Sequence, residues 1–192
     1  PTNGLFVLGN VGIGFSSPNN RLQVTGLINF DNSLASTSLG YLAGNVGTGT
    51  SNTFVGYNVG LVYSTGTRNS AFGTLALDAN TTASDNSAFG YNALGANTTG
   101  TRNAAFGSSS LDANTTGNDN LAFGHNALTD STTGSRNVGI GSSALSNNTT
   151  ASDNTALGAF ALTQNTTGTR NSAFGTFALD TNTTGSDNLA FG

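Results

Sequence analysis

From Asn52 onward, apolar and polar positions follow one short pattern. Asn69-Ser70-Ala71-Phe72-Gly73 is followed by Thr74-Leu75-Ala76-Leu77-Asp78-Ala79 and then by Asn80-Thr81-Thr82-Ala83-Ser84-Asp85. Apolar residues alternate over a few positions and are then cut by glycine, which is the periodicity of a strand and not of a helix. The pattern predicts two short strands per repeat, one from Asn69 to Phe72 and one over about Leu75 to Leu77. Gly73 falls at a tight corner and residues 80–84 form the longer turn, because Asn and Gly tolerate the left-handed backbone that corners require.

The opening asparagine recurs at Asn52, Asn69, Asn86, Asn103, Asn120, Asn137, Asn154, Asn171 and Asn188, a constant step of 17 residues, and Gly56 to Gly192 keep the same step. A fixed short period means one structural unit stacked on copies of itself. The expected fold is therefore all-β, a parallel β-roll or β-solenoid with 17-residue coils. Stacked strands lie about 4.8 Å apart, so equivalent positions become columns. One column holds Val55, Phe72, Phe89, Phe106, Phe123, Ile140, Leu157, Phe174 and Phe191, and another runs from Leu77 through Leu94, Leu111, Leu128, Leu145 and Leu162 to Leu179. Both are expected to face inward, where each member contributes roughly 1.5–3 kcal/mol when fully buried. Between them Ala71, Ala88, Ala105, Ala122, Gly139, Ala156, Ala173 and Ala190 stay small, as a close approach of backbone to backbone demands.

So small a coil encloses little volume, and one chain alone would show either its Phe or its Ala face to water along its whole length. Large exposed apolar stripes mark interfaces. Three chains around one axis would cover them, so the expected assembly is a homotrimeric fibre.

Composition narrows the field. The apolar fraction of 35% lies below the globular norm of about 45–50%, charged residues make up 7%, and Cys, Met and Trp are absent, as are Lys and Glu. Without cysteine there is neither a disulfide framework nor a thiolate metal site, and stability has to come from elsewhere, most simply from oligomerisation. A net charge of −4 and 5 isolated arginines are unlike the basic footprint of a nucleic-acid binder. No apolar run approaches the roughly 20 residues of a membrane helix, and no signal peptide is visible. The chain starts at Pro1 without Met and stops at Gly192 in mid-repeat, the expectation for a piece of a longer polypeptide.

The few charges are themselves patterned. The residue before each repeat asparagine reads Arg68, Asp85, Arg102, Asp119, Arg136, Asp153, Arg170 and Asp187, so the sign alternates and the full period is 34. In-register stacking predicts a structural ladder in which each Arg lies one coil from an Asp above and below, whereas a uniform column would repel.

Residues 1–30 differ from the array. Leu5-Phe6-Val7-Leu8, Val11-Gly12-Ile13 and Arg21-Leu22-Gln23-Val24-Thr25 are short β-type runs broken by turn residues. The Gly9 to Gly14 stretch, spaced G-x-x-G-x-G, opens no helical pattern and reads as a β-turn instead of a phosphate loop. Residues 1–35 are expected to form an N-terminal β cap or joint, and 36–192 the array. Within the latter, Ser36-Thr37-Ser38-Leu39-Gly40 matches Asn52-Thr53-Phe54-Val55-Gly56 at a step of 16, and Ala43 to Gly49 lack the later regularity.

Gly9-Asn10-Val11-Gly12-Ile13-Gly14, with Ser17-Pro18 and Arg21-Leu22-Gln23-Val24-Thr25-Gly26, resembles the leading segment of bacteriophage tail-fibre proteins and related bacterial surface proteins. The array, with Gly90-Tyr91-Asn92-Ala93-Leu94 and Asn97-Thr98-Thr99-Gly100, resembles the repeats of those fibres. It is more distantly similar to the Ser-Val-Ala-Ile-Gly repeats of trimeric autotransporter adhesin heads, departing from them in its longer step and in Phe for Ile. The resemblance implies a structural shaft on the virion surface, or an extracellular or cell-surface location, projecting a receptor-binding tip for host attachment, with a host cell-surface glycan or protein as partner. The alternative it implies is the head or stalk of a bacterial trimeric surface adhesin.

Other chemistry is thinly represented. Asn80, Asn97, Asn114, Asn148, Asn165 and Asn182 open Asn-Thr-Thr sequons, but a turn needs the same residues. An ice-binding β-solenoid is a further alternative, since regular threonine columns can order water; yet adjacent Thr81-Thr82 cannot both point outward from one strand. Spaced pairs such as Thr65 and Thr67, Thr99 and Thr101, or Thr167 and Thr169 occur in alternate coils at best. Carbohydrate cleavage needs two carboxylates about 5–10 Å apart, and aspartates that recur in step with the repeat read as architecture. His125, the single histidine, has no ligand-type neighbour at useful spacing and is expected to face solvent. No catalytic residue, cofactor site or metal site is assigned, and the chain is not expected to be an enzyme.

Overall fold

The computed structural model describes residues 36–44 and 47–192. The expected cap over 1–35, with its β-type runs, its glycine-rich stretch and the residues compared with fibre leading segments, lies outside the described residues, as do Asn45 and Val46. Ten strands of three residues follow in order: β1 (Thr37–Leu39), β2 (Thr53–Val55), β3 (Ser70–Phe72), β4 (Ser87–Phe89), β5 (Ala104–Phe106), β6 (Leu121–Phe123), β7 (Val138–Ile140), β8 (Thr155–Leu157), β9 (Ser172–Phe174) and β10 (Leu189–Phe191). They form one parallel sheet in sequence order, a β-solenoid of about 9 turns, with no helix among the described residues. Register follows the sequence period: Ala71 pairs with Ala88, and the shorter step of the first coil is taken up by pairing Thr37 with Thr53.

Each coil has one strand, not the expected two. Leu75 and Leu77 have left-handed φ values of 59° and 50°, and their N–H groups point to opposite neighbours, Leu75 to Tyr57 O in the preceding coil and Leu77 to Ala93 O in the following one, at 3.0 and 3.1 Å. The reason lies in burial. Ala76 and Leu77 are consecutive and both are fully buried, which the strict alternation of a strand forbids; a left-handed residue turns the second side chain inward as well.

The Phe column is also corrected. On β2 to β9 the middle residue faces inward, so Ala71, Ala88, Ala105, Ala122, Ala156 and Ala173 are buried, whereas Phe72, Phe123, Leu157 and Phe191 are exposed and Phe89, Phe106, Ile140 and Phe174 only half-buried. The interior next to the strand has room for a methyl group and no more: a Cβ added to Gly139 would already sit 3.2 Å from Leu128 Cγ and from Ala144 O. Phe54 is the exception, buried at this position in β2 because Gly44 and Gly60 clear the space; a Cβ on Gly60 would lie 2.9 Å from the Phe54 ring.

The Leu column is inside as expected, Leu77 to Leu162 being the largest apolar side chains fully buried in the regular coils. The corner glycine is required by shape as well as by φ. Gly90 has φ 147°, and a Cβ there would lie 2.7 Å from the carbonyl carbon of Gly107 in the next coil, so only Gly lets successive corners nest.

Candidate functional site

Stacking turns the recurrent asparagines into interior ladders. Asn69 Oδ1 accepts the Asn86 backbone N–H at 3.0 Å and Asn86 Nδ2 at 3.3 Å, while Asn69 Nδ2 donates to Asn52 Oδ1 at 3.1 Å and to Ala83 O, across its own coil, at 2.9 Å. A buried carboxamide has to satisfy two donors and an acceptor, and one copy per coil does so indefinitely. A second ladder joins Asn97 Nδ2 to Asn80 Oδ1 at 3.3 Å and Asn114 Nδ2 to Asn97 Oδ1 at 2.8 Å. It resumes from Asn148 to Asn165 and Asn182. Ser131 breaks it, leaving Asn114 Oδ1 and Ser131 Oγ buried without a partner.

Sequence reasoning used the first asparagine column as a period marker and the second as turns and sequons. The available signal was that in the first column no other turn-forming residue replaces Asn at any step from Asn52 to Asn188. The sequon asparagines from Asn80 to Asn165 are fully buried with Nδ2 donating inside the coil, so the folded array has no room for a glycan on them.

The charged column stacks as pairs. Arg68 grips Asp85 through Nε and Nη2 at 2.6 and 2.8 Å, and Arg102–Asp119, Arg136–Asp153 and Arg170–Asp187 repeat this geometry. Each arginine thus hydrogen-bonds the aspartate of the following coil, and on Arg102, Arg136 and Arg170 the aspartate of the preceding coil acts only through its field. Hydrogen bonds from the guanidinium hold the Asp85, Asp119, Asp153 and Asp187 carboxyls below their ordinary value and raise the arginines. Elsewhere burial, and then a neighbouring carboxylate, pushes Asp78 up; burial also raises Asp112, against a hydrogen bond from Asn92.

The threonines divide by position. Thr81 donates its hydroxyl to Thr98 O at 3.0 Å, and Thr98, Thr115, Thr132, Thr149 and Thr166 do the same one coil further on, whereas Thr82 and its copies are exposed. His125 is exposed. Among the described residues there is no pocket and no group of three or more His, Cys, Asp or Glu side chains placed to hold a metal. No helix among them is long and apolar enough to cross a membrane.

The largest unsatisfied feature is therefore the outer face of the sheet. Phe72 and Phe89 stack with ring centroids 4.8 Å apart, Phe89 and Phe106 at 5.0 Å, and Phe174 and Phe191 at 5.2 Å. Beyond the corner glycines two further ring pairs stack, Tyr41 on Tyr57 and, one position later in the coil, Phe160 on Phe177. Comparison with family models, with curated proteins and with solved structures finds no match. What the chain is, by its own geometry, is a parallel β-solenoid with an apolar stripe along one side.

Proposed function

We propose that this chain is a shaft segment of a homotrimeric fibre, a phage tail fibre that holds a receptor-binding tip away from the particle for host attachment. The observation that carries the reading is the uninterrupted apolar stripe on the outer sheet face. Phe72, Phe123 and Leu157 are 37%, 57% and 45% exposed; with about 150–250 Å² per aromatic side chain they present on the order of 250 Å². The half-buried Phe89, Phe106, Ile140 and Phe174 continue the stripe between and beyond them, and Tyr57, Tyr91, Phe160 and Phe177 are exposed beyond the corner glycines.

The stripe has one apolar row per coil and no charge, and a partner that fits it over its whole length needs the same rise. Another copy of the array has it. Three copies around one axis cover the stripe of each, and the result is a rod whose work is mechanical. The outside of that rod carries the exposed Thr and Arg–Asp rows, available for weak contact with a host glycan.

Light scattering on the purified chain should give close to three times the 19.2 kDa chain mass. Phe106→Asp should lower that mass to one chain while circular dichroism retains the strand signal, because Phe106 lies outside the coil. A wild-type chain that stays monomeric at micromolar concentration refutes the fibre reading. Tail or baseplate genes beside the coding sequence would support the virion, and a membrane-anchor β-barrel encoded downstream would favour the adhesin instead.

A further inference from the structure

Successive coils are not tied alike on the threonine side of the array. The residue just before the charged column reads Thr67, Ser84, Thr101, Asn118, Ser135, Ser152, Thr169 and Ser186, and its side chain decides how two coils meet. Ser84, Asn118, Ser135, Ser152 and Ser186 each accept the backbone N–H of the equivalent residue one coil earlier, at 2.7–3.0 Å. Thr101 and Thr169 do not, and the Ser84 and Ser152 N–H groups find no partner among the described residues. The threonine hydroxyl is directed at the following coil instead, Thr101 at Asn118 Oδ1 at 2.9 Å and Thr169 at Ser186 Oγ at 3.4 Å. Branching at Cβ leaves it little freedom to turn back.

Between residues 137–153 and 154–170 the other ties on this side are thin as well. The arginine grips fall at Arg136–Asp153 and Arg170–Asp187, so none crosses here. Thr166 O accepts one backbone N–H from the preceding coil, that of Thr149 at 3.3 Å, whereas the carbonyls of Thr98, Thr115, Thr132, Thr149 and Thr183 each accept from two or more successive residues. Arg170 N–H reaches Ser152 O at 3.3 Å. Yet the sheet side of the same seam is closed, with Val138 N–H on Asn154 O and Gly158 N–H on Ile140 O, both at 2.8 Å.

Missing ion pairs alone do not produce this. No arginine grip crosses between Asp119 and Arg136 either, but there Ser135 Oγ accepts Asn118 N–H at 3.0 Å, Thr132 O accepts two N–H groups, and Arg136 N–H reaches Asn118 O at 3.0 Å. The difference between the two seams is Ser135 in one and Thr169 in the other.

We propose that the array has a built-in hinge between residues 137–153 and 154–170, where the threonine side opens while the sheet stays closed, and that Thr169 is the residue that leaves it free to open. Few hydrogen bonds across a seam mean a low free energy of local opening. In the fibre the Thr and Arg–Asp rows lie outside, and the outside of a rod is stretched most when it bends, whereas the sheet near the axis changes length little. Every copy has the seam at the same level, so the shaft bends there as a whole and its tip can swing while the coils on either side stay intact. The seam at Thr101, where Thr98 O keeps both of its N–H groups, is a stiffer form of the same device. The effect on the fibre rests on the self-assembly reading above; the opening itself belongs to one chain.

Hydrogen exchange read at single residues tests this. Thr149 and Arg170 N–H, both bonded across the hinge, should show roughly tenfold less protection than Thr115 and Arg136 N–H, their counterparts at the seam closed by Ser135. Thr169→Ser supplies an acceptor for Ser152 N–H and should raise Thr149 and Arg170 to the protection of those counterparts, and Ser135→Thr should lower Thr115 and Arg136. Fast exchange of Ser152 N–H alone, with Thr149 and Arg170 as protected as their counterparts, means one unpaired group in a rigid corner and overturns the hinge. Low protection that Thr169→Ser leaves unchanged overturns the role of Thr169. Light scattering on the same samples keeps the two readings apart: a one-chain mass with the expected exchange removes the fibre and leaves the hinge, and a three-chain mass with uniform protection does the reverse.

Discussion

Ser131 sits where the second asparagine ladder is broken, and Ser131→Asn should repair it. In the intact coils the residue here donates Nδ2 to the carboxamide oxygen of the preceding coil at 2.8–3.3 Å and to the carbonyl three residues on at 2.9–3.2 Å. Serine is too short for either. Asn114 Oδ1 and Ser131 Oγ are left without partners in the interior, and Asn148 Nδ2 bonds only Ala151 O. The substitution adds three hydrogen bonds: to Asn114 Oδ1, to Gly134 O, and from Asn148 Nδ2. A net bond contributes about 0.5–1.5 kcal/mol, and a buried unpaired polar atom costs about 1–3 kcal/mol, so the gain should be about 2–4 kcal/mol. For a chain of this size each kcal/mol moves the melting temperature by roughly 2–4 °C, so Ser131→Asn should melt roughly 4–16 °C above wild type in a calorimeter. The converse change, Asn165→Ser, should lose a similar amount by making the same gap two coils further on. If Ser131→Asn melts at or below wild type while Asn165→Ser is harmless, the ladder is not a source of stability and the reasoning fails.

Arg102→Asp places a third carboxylate between Asp85 and Asp119 and removes the bidentate grip on the latter. It should lower the melting temperature at low ionic strength, and the loss should shrink near 1 M salt, where the screening length is about 3 Å; a salt-independent loss would point to packing instead of charge. The acid side separates two kinds of aspartate. Asp85, Asp119, Asp153 and Asp187 are held below the ordinary value of 3.8 in the fold, so their stabilisation is complete above that value and is lost as pH falls through their depressed folded values. Asp78 and Asp112 are raised, oppose folding while ionised, and release that opposition as pH falls through their raised values. Melting temperature should therefore rise slightly on the approach from neutral pH and then fall; Asp78→Asn/Asp112→Asn should abolish the rise and keep the fall, and a rise that persists in the double variant would assign it elsewhere.

The period, the parallel stacking and the register were legible in the chain itself, because a step of 17 residues kept from Asn52 to Asn188 leaves stacked coils as the arrangement in which like meets like. The alternation of Arg and Asp announced their stacking for the same reason: charge is a long-range property, and its sign pattern has no local use. Which side of the strand is inside was not legible. Ser70-Ala71-Phe72 offers either Ala or Phe to the interior, and hydrophobicity alone prefers Phe. The choice depends on how far the opposite wall stands from the strand, and that distance is set by Leu128 and its copies together with the left-handed turn that brings Ala76 and Leu77 in side by side. The asparagine columns were visible as a count and invisible as ladders, since a turn former and a buried carboxamide are the same letter. Local periodicity, in short-range terms, decides that coils exist and how they stack; only the closed coil, where one wall meets another, decides that the interior is narrow, that Ala and Asn fill it, and that the Phe stripe is turned outward.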